Sequence, residues 1–178
     1  MLLDPAVVSM IATCTPAGAA VETIEAVVRV ESGGHRFALA VNRPGNAPAR
    51  FTPDNPAGAA AIITQALNRG QNVDIGLMQV NTRTASRMGI DWHSLIDPCE
   101  NIRIGTTILQ QDYTAALKTN PPGQIALQAA LSTYNTGNPW TGFSNGYVAK
   151  YYGGLGPTPV AGSPYTADPL VYHNKDFK

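Results

Sequence analysis

The sequence predicts a mainly α-helical, single-domain protein, and three observations carry that expectation. Apolar residues recur at helical spacing in several separate stretches; Asn55-Pro56 and Asp97-Pro98 pair a capping residue with a first-turn proline; and only NVDIGLMQVN alternates as a strand does. A chain of 178 residues with 44% hydrophobic content can bury roughly two-thirds of its unfolded surface without a disulfide or metal scaffold. No internal repeat or charge block divides it, so the expected domain runs over residues 1–152, with a Gly/Pro-rich tail over 153–178.

The opening MLLDPAVVSMIATC has an apolar segment but no basic residue ahead of it, and Asp4 stands where a signal peptide would carry positive charge. It reads as a mature or trimmed amino terminus, with a cytoplasmic protein as the alternative. After a polar lead-in, Thr15 to Gly18, the stretch AVETIEAVVRVESGGH is a helix to about Ser32, stopped by Gly33 and Gly34. Val21, Ile24, Val27 and Val28 share one arc of it, with Glu22, Glu25 and Arg29 opposite. His35 to Asn55 contains Pro44, Pro48 and Pro53 among Asn and Gly, and is expected to be a surface loop.

Asn55-Pro56 then opens an Ala-rich helix that continues to Gly70. NVDIGLMQVN is a short extended segment, and Asn81 caps a brief helix stopping at Gly89. Asp97-Pro98-Cys99-Glu100 starts the long core helix, which is expected to bury Ile102, Ile108, Leu109, Tyr113 and Ala116. Pro121-Pro122-Gly123 turns the chain into a further helix ending near Asn135, and YVAKYY adds a short one after Gly146.

Composition excludes some classes of function. Twelve basic and twelve acidic residues give a formal net charge of zero, which is not the footprint of a nucleic-acid binder. No apolar run approaches the ~20 residues of a membrane span. Cys14 and Cys99 belong to no CxxC or Cys/His cluster, and His35, His93 and His173 are scattered, so neither a metal nor another cofactor is expected. The two cysteines fit one disulfide, which would argue for an oxidising compartment, or two unrelated buried thiols.

One carboxylate is out of place. Glu31 falls inside the apolar arc of the first helix, at its last turn. Core packing and the negative end of the helix dipole both favour its protonated form. A carboxylic acid held neutral near pH 7 is what a general acid for glycosidic cleavage needs, although a Glu at a helix end can also be a hydrogen-bonded structural residue.

Three short islands combine tight turns with polar groups: Glu31-Ser32, Gly76-Leu77-Met78-Gln79, and Tyr134-Asn135 followed by Thr136-Gly137-Asn138. On these the chain resembles the lytic transglycosylases of the goose-type lysozyme fold (SLT-type catalytic domains), and within them the VirB1-like proteins of type IV secretion systems. VRVESGG, VDIGLMQVNTR, DPCENIRIGTTIL and STYNTGN match that family in type and order over residues 14 to 152. The chain departs from the usual pattern at His35-Arg36, where Asn-Pro is common, and at Thr133, where Ala is common.

The resemblance implies a lysozyme-like domain in which Glu31 is the sole catalytic acid/base. Its substrate would be the glycan strand of peptidoglycan, cut between N-acetylmuramic acid and N-acetylglucosamine to leave a 1,6-anhydro end. Ser32 matches the residue that supports the carboxylate, or it only satisfies helix-end carbonyls. Gly76 matches a close backbone approach, Gln79 a sugar hydrogen bond, and Met78 either an apolar floor for a sugar ring or core packing. Tyr134 would line the cleft and Asn135 would orient the N-acetyl group.

The same resemblance implies a periplasmic protein, with type IV secretion components as partners, that opens the wall locally. Two other functions stand beside this one. A hydrolytic muramidase would need a second carboxylate, for which Asp74 is the candidate by sequence, although the favoured reading of Asp74 is that it fixes the turn through local hydrogen bonds. A non-catalytic glycan-binding subunit would keep the cleft without needing Glu31.

Overall fold

A computed structural model describes residues 2–152, so the expected tail lies outside the described residues. These form seven α-helices, a four-stranded antiparallel sheet and two short 3-10 turns: α1 (Pro5–Cys14), α2 (Val21–Glu31), β1 (Leu39–Arg43), β2 (Asn46–Phe51), α3 (Pro56–Asn68), β3 (Val73–Ile75), β4 (Val80–Asn81), α4 (Thr82–Arg87), α5 (Pro98–Ala116), α6 (Gln124–Thr136) and α7 (Thr141–Ser144), with the turns at Trp92–Ile96 and Val148–Tyr151. The mainly helical class expected from the sequence is what is found. The chain sorts into two compact units, and α2 and α5 contribute residues to both.

The first unit takes residues up to Cys14 and Val27–Gly105. It opens with α1, a helix not among those expected from the sequence. Asp4 Oδ1 accepts the Ala6 N–H at 2.7 Å ahead of Pro5, the same acid-proline signal that starts α5, and Val7 and Ile11 are buried. Cys14, the last residue of α1, is disulfide-bonded to Cys99 in the first turn of α5, with the two Cα atoms 5.3 Å apart. Of the two readings left open for the cysteines, the bridge is the one the structure contains.

The expected loop over residues 35–55 is instead a hairpin. Ala38 to Val41 is a short, buried apolar run, and Leu39 onward forms a central strand of the sheet, whose order is β2-β1-β3-β4. The prolines that suggested a loop sit where strands tolerate them. Pro44 precedes the turn glycine Gly45, and Pro48 lies on the edge strand β2, next to the register shift between Val41 and Arg43. Asn55 accepts the Gly58 N–H at 2.9 Å and opens α3, and Asn81 accepts the Arg83 N–H at 2.9 Å and opens α4, both as the caps predict.

The second unit takes Thr15–Ala26 and, among the described residues, those from Thr106 onward. Its core holds Leu109, Leu127, Ala130, Leu131 and Tyr152, all at or below 1% exposure. Burying each Leu contributes about 1.5–3 kcal/mol before conformational entropy is subtracted. Tyr113 joins them and accepts the Gly123 N–H at 3.0 Å, which fixes the Pro121-Pro122-Gly123 turn. The buried stripe of α5 differs from expectation at one place: Ile108 is half-buried, while Thr106 is fully buried. Steps of four and three residues from Ile102 reach 106, 109, 113 and 116, and 108 lies off that line.

Candidate active site

The Gly76–Gln79 turn joins β3 to β4. Gly76 has φ 79°, and the Gln79 N–H donates to Gly76 O at 3.2 Å. Gln79, at φ 49°, is the only non-glycine with positive φ among the described residues. Such a backbone costs on the order of 1–2 kcal/mol and persists only where neighbours hold it. Here the Gln79 side-chain amide donates to Ala38 O and to Gly76 O, each at 3.0 Å, while the Gly76 N–H donates to Ala38 O at 2.8 Å.

A residue given no role in the sequence reading shapes this turn from behind. Asn101, in the first turns of α5, has 0% exposure. Its Nδ2 donates to Ile75 O at 2.8 Å and Leu95 O at 3.0 Å, and its Oδ1 accepts the Met78 N–H at 2.9 Å. One side chain thereby satisfies three buried backbone groups from the turn and from the Trp92–Ile96 segment. A lone Asn just past Asp-Pro-Cys-Glu looks like a solvated first-turn residue, and nothing local in the sequence singles it out.

Met78 has no exposed surface. That burial is the environment of a core residue. Gln79 is half-buried beside it, with its amide N–H groups engaged as above.

Glu31 is the last residue of α2 and is half-buried, on the arc where Ile24, Val27 and Val28 have 0% exposure. Ser32 follows with its hydroxyl donating to Val28 O at 3.0 Å and accepting the Gly34 N–H at 3.2 Å. That pattern serves the helix end, and Gly34, at φ 87°, turns the chain away where a Cβ would meet the Leu3 side chain at 3.0 Å.

Asp74 lies on β3 with both carboxylate oxygens engaged. Oδ2 accepts Asn42 Nδ2 at 2.8 Å and Oδ1 accepts Asn81 Nδ2 at 2.6 Å, from residues on the two flanking strands. Burial pushes its pKa above the ordinary carboxylate value, against the lowering effects of the two amides and of the Arg50 charge. Its partners are cross-strand rather than within the turn, so it ties three strands together.

In the second unit, Tyr134 is half-buried and Asn135 exposed, both in the last turn of α6. The helix is closed one step later by Gly137, at φ 71°, whose N–H donates to Thr133 O at 2.7 Å. Among the described residues, no group of three or more His, Cys, Asp or Glu is placed to hold a metal ion.

Residues 11–151 match the Transglycosylase SLT domain family, and the chain belongs to that family. Among curated proteins it is 32% identical over 137 residues to Protein virB1 of Agrobacterium fabrum, covering 77% of this chain and 54% of that protein. It is 33% identical over 168 residues to the type IV secretion system protein virB1 of Brucella abortus, covering 89% of this chain and 64% of that protein. The corresponding Brucella suis protein is 32% identical over 173 residues, covering 92% of this chain and 68% of its own length. The chain thus spans about half the length of the Agrobacterium relatives it matches. No solved structure is significantly similar to it.

Proposed function

We propose that this chain is a peptidoglycan lytic transglycosylase whose one acid/base is Glu31. The observation that carries this reading is a half-buried carboxylate on an otherwise apolar helix arc, inside a match to the SLT family that covers residues 11–151. Protonated Glu31 gives its proton to the oxygen bridging N-acetylmuramic acid and N-acetylglucosamine as the bond from C1 to that oxygen breaks. The carboxylate then takes the proton of the C6 hydroxyl as that oxygen bonds to C1. A 1,6-anhydro ring forms, no water is consumed, and Glu31 ends as it began. Proton transfer of this kind supplies about 10²- to 10⁴-fold, with the remainder from stabilising an oxocarbenium-like centre.

Gln79, through the oxygen of its amide, and Tyr134 and Asn135 are the residues we assign to sugar binding, with Ser32 and Gly76 as supports of the helix end and the turn. The setting we assign is local opening of the cell wall, in the periplasm, for assembly of a secretion apparatus, and the relatives named for type IV secretion support it. The Cys14–Cys99 bridge suits that oxidising compartment.

The test is mass spectrometry of muropeptides released from purified sacculi, with Glu31→Gln run in parallel. Anhydro-muropeptides from the parent alone are expected. Reducing-end products would replace this reading with hydrolysis and direct attention to Asp74, and release by Glu31→Gln equal to the parent would remove Glu31 from the chemistry.

A further inference from the structure

Two aromatic side chains of the second unit stand in solvent on a tightly fastened support. Trp140 is 63% exposed and Phe143 is 37% exposed, and their ring centroids lie 6.4 Å apart with planes tilted by 32°.

The backbone beneath them is pinned from several sides. Asn138 Oδ1 accepts the N–H groups of Trp140 at 2.9 Å and Thr141 at 3.1 Å. The buried Ser132 hydroxyl donates to Asn138 O at 2.6 Å and accepts the Gly142 N–H at 2.8 Å. Thr136 Oγ1 also donates to Asn138 O, at 2.9 Å. Gly142 lies so close to α6 that a Cβ would fall 2.7 Å from Ser132 Cα. The rings are therefore displayed by a rigid mount, which lowers the entropy lost when something settles on them.

We propose that Trp140 and Phe143 form a stacking platform for a pyranose ring of the glycan strand. The proposal rests on the transglycosylase reading, whose substrate is a polymer of such rings. The apolar C–H face of a sugar packs on an aromatic face, and the indole N–H can donate to a ring hydroxyl. The size of the patch favours this occupant over a protein. A stable protein interface buries about 1,200–2,000 Å², and two side chains flanked by exposed Asn138, Thr141, Ser144 and Asn145 do not supply that.

Trp92 and Trp140 are the two tryptophans of the sequence, so Trp92→Phe leaves Trp140 as the sole indole reporter. Titrating that protein, in a Glu31→Gln background, with N-acetylglucosamine hexasaccharide is expected to give a saturable blue shift of emission. Phe143→Ala should weaken binding by roughly tenfold. In the catalytically intact protein, Trp140→Ala should raise KM on sacculi by about the same factor with kcat held, and Trp140→Tyr should recover most of it. Unchanged emission with sugar, or an unchanged KM, overturns the platform. So does an emission shift that follows protein concentration alone, because it would give the face to a second copy. Failure of the Glu31→Gln test would remove the transglycosylase reading without altering the fluorescence result, so the two fail separately.

Discussion

Asn101 lies so close to Gly76 that a Cβ built on the glycine would fall 2.4 Å from the Asn101 amide nitrogen. The turn and the carboxamide fill the same space, and each fixes the other. Gly76→Ala adds a methyl where none fits and forces a side-chain-bearing residue to φ 79°. A loss of about 3 kcal/mol is expected, read as a shifted urea midpoint at unchanged slope.

Asn101→Ala removes the partner of the Met78 N–H and of two carbonyls in a dry region. The expected cost is about 3–5 kcal/mol. Combining it with Gly76→Ala should cost less than the two single losses added, by roughly 1 kcal/mol or more, because the new methyl enters space the carboxamide has left. Strict additivity would mean that the two residues are not coupled.

Asp74→Asn separates one-carboxylate chemistry from two-carboxylate chemistry. Each Asp74 oxygen accepts an amide, so the substitution loses one of those bonds and costs about 1–2 kcal/mol of stability. Under the transglycosylase reading, kcat on sacculi should stay within about tenfold of the parent. A drop of a thousandfold in a protein that still folds would make Asp74 part of the reaction.

Asp112 is half-buried on α5, and burial pushes its pKa up to about 7 from 3.8. The folded state therefore holds a proton that the unfolded chain has released, and stability falls as pH rises between about 4 and 7, then stays lowered. Asp112→Asn should stabilise the protein at neutral pH by about 1 kcal/mol after allowance for solvent screening, or about 2–4 °C in Tm. Near pH 4 the gain should vanish. A gain independent of pH would trace to something other than this titration.

The Cys14–Cys99 bridge closes a loop with a sequence separation of 85. Replacing both cysteines with serine should cost about 2–5 kcal/mol. Thermal unfolding with and without a thiol reductant should separate for the parent and coincide for the double variant.

Much of the helical framework was legible because its signals are local. Asn55-Pro56, Asn81 and Asp97-Pro98 announce helices whose caps are found in place. Asp4-Pro5 carries the same signal, but an apolar segment at the start of a chain also has the look of a targeting sequence, which hides α1. The β1–β2 hairpin was illegible for a different reason. Its prolines argue against a strand only if the strand is central, and edge position is a tertiary fact. At the site, the turn glycine and the polar pairs could be picked out, but the role of Asn101 depends on three backbone groups drawn from two other segments. The burial of Met78 likewise follows from packing, to which a four-residue motif is blind.

The sheet that carries the turn is poorly suited to recruiting foreign chains. Along its outer strand β2, Pro48 withholds an N–H, and Arg43 and Arg50 stand exposed on the hairpin. At the opposite margin, β4 is only two residues long. Neither margin offers the continuous row of free backbone groups on which amyloid-like growth is templated. Concentrated protein should therefore resist strand-by-strand accretion at this sheet, and Pro48→Thr, which restores a donor to the margin, should shorten the lag before thioflavin-positive aggregates form.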